Sequence, residues 1–354
     1  FGLRRLLLGG ATLFTLFSVL CGLSTSLEMM VAGRIGQGLA GGVLIPSALT
    51  LVATRLPPGQ QMIGLALTGV AALLGPSMGP VLGGWLTDNY GWSYAFFINV
   101  PICAVQVAML LVGIAKTRGD WSEFRKADWF GVAGMVIGLG AVTTLLEEGH
   151  REQWFESALI WQLAIASAFG FALIALGQLR PGRPVIRLSL LRNRELASAS
   201  GLLAVIGMLI FTGIFLTPQF LVAIAGYNAQ HAGMVAFISG IVSLPTAMLY
   251  PVLGKFLDLR VIVAGAIFLV CLGNYLLSGL TVQSAGDDFF VAQLLYGMGT
   301  TLTAMPLQQA VISSVPPEDA AEANSISSIT RNLGGSIGLA ALSGYQEMRF
   351  DLHH

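Results

Sequence analysis

Charge is scarce in this sequence. Only 10% of its 354 residues are Asp, Glu, Lys or Arg, 55% are hydrophobic, and mean hydropathy is +0.77. A soluble domain carries roughly 25% charged residues, so a water-facing surface cannot be built from so few. Net charge is zero, which excludes the basic footprint of a nucleic-acid binder. Cysteine is equally thin. Cys21, Cys103 and Cys271 lie far apart, each in an apolar run, without disulfide or metal-ligand spacing. They read as small packing residues. His150, His231, His353 and His354 fall outside the apolar runs or at an edge, so no metal site is expected. Neither GxxxxGK[ST] nor HExxH occurs, which excludes ATP hydrolysis by a P-loop and a zincin site. No nucleophile, base and orienter stand together, so the chain does not read as an enzyme. No signal peptide is visible. Carboxylates are missing from the middle of every apolar run. Glu28, Asp88, Asp128, Glu147, Glu148, Asp258, Asp287 and Glu318 all sit near run ends.

What is present is a succession of apolar runs. Eleven can be drawn, at 6–24, 28–53, 61–86, 94–115, 127–146, 157–179, 196–223, 231–253, 261–281, 288–312 and 325–345. Each is near the ~20 residues that carry a helix across ~30 Å of hydrocarbon. They lack the alternation of barrel strands, so helices are the expected spanning form. The fold class is therefore all-α, a polytopic bundle in a lipid bilayer. Basic residues sort by side. Alternate gaps hold Arg4, Arg5, Arg55, Lys116, Arg118, Arg125, Lys126, Arg180, Arg183, Arg187, Arg192, Arg194, Lys255 and Arg260. The other gaps and the tail hold only Arg151 and Arg349, while Arg34 and Arg331 lie inside apolar runs. The positive-inside rule then puts the residue-1 end in the cytoplasm and the residue-354 end outside. Tyr90, Trp92, Trp154 and Phe155 occupy the short outer gaps, where interface aromatics belong. Two longer basic linkers, 116–126 and 180–195, divide the chain into an N-terminal bundle (1–115), a two-span insert with its linkers (116–195) and a C-terminal bundle (196–354).

Four motifs carry chemistry. In GPSMGPVLGG, Gly75, Gly79 and Gly83 form one helical stripe, with Pro76 and Pro80 beside it and Gly84 following. Each proline removes a backbone donor, so this run reads as a bent, small-faced helix shaping a pathway, or as a plain packing helix. In RIGQG, Arg34, Gln37 and Gly38 share a face with Gly41 and Gly42. A guanidinium inside a span costs ~2.5–3.5 kcal/mol on insertion scales, so it should face protein or a cavity unless it snorkels outward. Gly254, Lys255, Asp258 and Arg260 form a short charged loop, either a gate held by salt bridges or topogenic charge alone. Pro316-Pro317-Glu318-Asp319 suits a helix start. Downstream, Arg331, Asn332, Gly334, Gly335 and Gly338 combine an intramembrane cation with a small-xxx-small pair, as pathway or as anchor.

With these motifs in view, the chain resembles the major facilitator superfamily, and within it the fourteen-span drug:proton antiporter family of the EmrB/QacA type. GPSMGPVLGGW resembles that family's fifth-span antiporter motif, and RIGQGLAGGVLIP its fourth-span motif. GWSYAFFINVPI, LLEEG, LTPQFL, GYNAQHAG and RNLGGSIG are similar to later stretches, so nearly the whole chain is covered. The 254–260 loop is shorter than the family signature. The resemblance implies the MFS fold with two extra central spans, and a piece lacking the first two spans and the last. It implies that a proton-coupling carboxylate resides in the family's first span. It assigns Arg34, Gln37 and Gly38 to the proton-relay region. It implies outward transport of small lipophilic compounds, with protons as the coupling ion and no other cofactor. Some members work with a periplasmic adaptor. A narrow-substrate exporter (siderophore, amino acid or other metabolite) and a transport-incompetent scaffold are the alternatives.

Overall fold

The computed structural model describes residues 2–114, 128–179, 184–224, 226–279, 281, 284, 288–316 and 319–351. Lys116, Arg118, Arg125, Lys126, Arg180, Arg183, Asp287, Pro317, Glu318, His353 and His354 lie outside the described residues. Among those described, long helices coincide with all eleven apolar runs and no strand occurs. They are α1 Leu3–Gly22, α2 Leu27–Arg55, α3 Pro58–Tyr90 and α4 Tyr94–Gly113, which is stepped at Ile98. There follow α5 Trp129–Glu148, α6 Ala158–Leu179, α7 Arg194–Gln219 and α8 Ala229–Phe256. The last three are α9 Leu259–Ser278, α10 Asp288–Ser313 and α11 Ala320–Asp351. Seven helices among the described residues are long and apolar enough to cross a membrane by length and composition alone. The bundle is that of a polytopic membrane protein.

Helix ends follow local chemistry. Ser26, Asp128, Asn193 and Asp258 cap α2, α5, α7 and α9, each accepting from a backbone N–H of the first turn. Pro58 opens α3, where its missing N–H costs nothing, and Gly91 closes it at φ 96°. α3 runs through Pro76 and Pro80 as one unbroken helix. α7 ends differently. Pro218 withholds a donor, and the chain continues into a π turn at Phe220–Ile224.

The chain divides into two compact units. The first comprises Phe1–Arg125 with Leu221–Leu244, and the second Lys126–Phe220 with Pro245–His354. In the first, α1 lies on α2 because α2 presents glycines at the contact. Phe17 covers Gly36, and a Cβ on Gly33 would stand 2.6 Å from Cys21 Sγ. α1 also rests on α4, where the Phe97 ring fills the space beside Gly22.

In the second unit the two-span segment is not set apart. α5 and α6 pair tightly, and a Cβ on Gly138 would meet the Gly170 backbone at 3.1 Å. α5 also packs on α11, where Ser336 Oγ donates to Glu147 Oε1 at 2.9 Å. α7 and α11 form a long seam, and α9 pairs with α10 across Gly273 and Gly299. Leu196, Leu203, Ile206, Leu307, Val311 and Ile326 make the core between α7, α10 and α11. Gly213 leaves room for the buried Tyr296 phenol, which donates to the Leu209 and Ile210 carbonyls at 3.2 and 3.1 Å.

Candidate functional site

The strongest polar constellation in the first unit is built on one serine. Leu7, Ala11, Ser18 and Cys21 lie along the buried face of α1. Ser18 is fully buried, and its hydroxyl uses all three of its hydrogen-bonding positions. It donates to the Phe96 carbonyl at 2.9 Å. It accepts from Gln37 Nε2 at 3.0 Å and from Asn99 Nδ2 at 2.9 Å. One hydroxyl thus joins α1, α2 and α4. Gln37 is only 4% exposed, and its Oε1 accepts from Arg34 Nη1 at 3.0 Å. The Arg34 guanidinium carbon stands 5.8 Å from the centroid of the Phe96 ring, within cation–π range.

Arg34 is thus partnered by an amide oxygen and an aromatic face while the residue itself is exposed. Among the described residues no carboxylate lies within ion-pair distance of it. The expected common face divides. Gln37 turns to α1, and Gly41 meets Phe14, but Gly38 and Gly42 face open space. A step of one residue rotates a helix by about 100°, enough to carry Gly38 off the contact that Gln37 makes.

The glycine stripe of α3 is open too. A Cβ at Gly75, Gly79 or Gly83 would meet nothing within 4 Å. A close backbone-to-backbone approach of α3 is made at Gly84, where a Cβ would stand 2.7 Å from the Ala229 carbonyl carbon. Gly233 answers from α8, where a Cβ would stand 2.7 Å from the carbonyl carbon of Pro80. Asp88 Oδ2 secures the joint by accepting from Gln230 N at 2.9 Å. Sequence reasoning missed Gly233 and Asp88. It also missed Ser18 and Asn99, which look ordinary inside apolar runs.

The remaining motifs lie in the second unit. Gly334, Gly335 and Gly338 are buried against Ala204, Phe211 and Met208 of α7, so their pattern is that of a packed seam. Gly207 of α7 receives the Arg331 backbone in return. Arg331 is half-buried and Asn332 exposed. In the short loop, Asp258 Oδ1 caps α9 by accepting from Arg260 N at 2.9 Å, while Gly254 is open. Lys255, Asp258 and Arg260 form no ion pair among the described residues, and Asp258 serves there as a helix cap, which leaves the gate and topogenic readings of the loop side by side. Arg260 instead lines a cavity of about 610 Å³ with Glu195, Tyr250 and Gln309. Arg187, in the linker before α7, grips the start of α11 through Asp319 and Glu322, both at 2.9 Å.

Residues 1–339 match the Major Facilitator Superfamily. The chain belongs to that superfamily. The multidrug export protein EmrB of Escherichia coli (strain K12) is 33% identical over 356 residues, covering 99% of this chain and 68% of that protein. The colistin resistance protein EmrB of Acinetobacter baumannii is 28% identical, covering 96% of this chain and 66% of that protein. Among solved structures, the peptide transporter POT in complex with sulfate superposes with a TM-score of 0.65 at 15% identity, over 97% of this chain and 74% of that one. At that identity the likeness speaks for the Major Facilitator fold alone. The two EmrB proteins bear out the EmrB-type resemblance read from the α2 and α3 motifs.

Proposed function

We propose that this superfamily member exports small lipophilic drugs or related toxic compounds in exchange for protons, by alternating access. One observation carries the reading: an arginine within the apolar run of α2, held by a buried amide, in a chain similar to EmrB exporters over nearly its whole length. A proton moving down 100 mV releases ~2.3 kcal/mol, a sufficient drive for uphill export. Arg34 is the relay cation, and Gln37 holds it. The carboxylate that exchanges the proton is the family's first-span acid. Gly84 and Gly233 form the close joint that resists leak. The residue-1 end faces the cytoplasm of an inner or plasma membrane, and a periplasmic adaptor extends the route. The names of the EmrB relatives favour this over a narrow-substrate exporter or a scaffold.

Two experiments test it. Arg34→Ala in the full chain abolishes drug resistance while membrane insertion persists; normal resistance in that variant removes the relay role. Tags in 180–195 and in 147–156 become accessible from opposite faces of sealed cells. Labelling of both from one face overturns the proposed orientation.

A further inference from the structure

We propose that Ser18 and Asn99 are positioning residues that fix the Gln37 amide in the one orientation that presents an acceptor to Arg34. The inference rests on the proposed relay role of Arg34 and deepens it.

The chemistry starts from what each group can offer. A guanidinium only donates, so the Gln37 atom facing Arg34 must be Oε1. An amide can reverse by half a turn, and the two orientations differ only in which end carries the donors. Reversed, Gln37 would aim its Nε2 hydrogens at the guanidinium, donor against donor. The Ser18 hydroxyl decides which orientation holds. Were its proton free, it could donate to Oε1 and support the reversed amide. That proton is committed to the Phe96 carbonyl, beside the step in α4 at Ile98. Asn99 Nδ2 fills one lone pair of the hydroxyl, and one lone pair remains. Only a donor fits there, so Gln37 must present Nε2 to Ser18 and Oε1 to Arg34.

The surroundings make the constraint strict. Ser18 and Gln37 are buried, so bulk water does not offer a substitute partner. α1 and α2 are closely packed beside this pair, with Gly33 against Cys21 and Gly36 against Phe17. Phe96 does double duty. Its carbonyl receives the Ser18 proton and its ring lies under the cation that the chain of bonds orients.

The test uses the full chain in everted membrane vesicles, with gradient-driven uptake of ethidium and, separately, Nile red. Ser18→Ala lowers the maximal rate by about tenfold with little change in half-saturation, the pattern of lost positioning rather than lost dye binding. Ser18→Thr, which keeps the hydroxyl, restores most of the rate. Gln37→Ala combined with Ser18→Ala is no slower than Gln37→Ala alone, because both act through one amide. Additive losses, or an unchanged rate in Ser18→Ala, overturn the inference. If Ser18→Ala does not insert, Asn99→Leu decides. A fall of about threefold or more supports the inference, and an unchanged rate overturns it. Wild-type vesicles that move neither dye with the gradient overturn the proposed function and this inference with it. Wild-type transport beside an indifferent Ser18→Ala removes the inference alone.

Discussion

Two helix pairs carry an arginine inside an apolar run with glycines around it, and both pack closely at glycines but treat the arginine differently. In α1–α2, Arg34 is held through its side chain, by Gln37 and the Phe96 ring, while Gly38 beside it is open. In α7–α11 the glycines after Arg331 are buried, and the Arg331 backbone sits over Gly207. The first arrangement adds buried polar groups that aim a charge to the glycine contacts at Gly33 and Gly36. The second spends glycines on bringing two backbones together. Similar strings of letters, RIGQG and RNLGG, therefore serve different purposes, and the partner helix decides which.

The comparison breaks most visibly at Gly334. A Cβ there would stand 2.7 Å from Ala204 Cα, and backbone cannot move aside as a side-chain end can. Gly334→Leu should cost well over the ~1–3 kcal/mol of ordinary overpacking. The expected result is little or no folded protein by size-exclusion yield in detergent; a normal yield would show that the seam is loose.

A finer contrast lies within α2. Gly36→Ala forces Phe17 to move, whereas Gly38→Ala adds a methyl where nothing lies within 4 Å. Gly38→Ala should be neutral or raise stability by up to about 1 kcal/mol through helix propensity. Gly36→Ala should lower it. Thermal unfolding of the two variants in detergent gives the order, and a reversed order would invalidate the assigned α1–α2 contact.

The smallest effect is expected at Asp258. Its carboxylate caps α9, so Asp258→Ala should cost about 1 kcal/mol of stability and leave dye transport near normal. A collapse of transport with unchanged unfolding would assign a gating role to the loop.

The helices were legible from the sequence because hydropathy marks them. Their limits were less so, since hydrogen-bonded helix continues past the apolar stretch. α11 runs to Asp351 where the apolar run stops at 345, and α3 begins at Pro58 and not 61. Arg34 and Gln37 were legible because a cation in a span demands a reason. Ser18 and Asn99 were not, because a single serine or asparagine gains meaning only from what lies across the contact. The glycine stripe of α3 misled for the same reason. Spacing shows which residues share a face but not whether that face is covered.

Asp128 holds together more of the chain than its place at a helix start suggests. One carboxylate oxygen caps α5 at Gly131, the other accepts from Val185 N at 3.3 Å, and Gly177 near the end of α6 packs against both. The polypeptide thus departs into α5 and returns from α6 at nearly the same point. Such a closed excursion is separable in its threading, although α5 still packs on α11. It could be lengthened, trimmed or lost in the course of descent without rethreading the neighbouring spans. A chain joined directly from 127 to 186 that still yields folded protein would bear this out, and one that fails to fold would refute it.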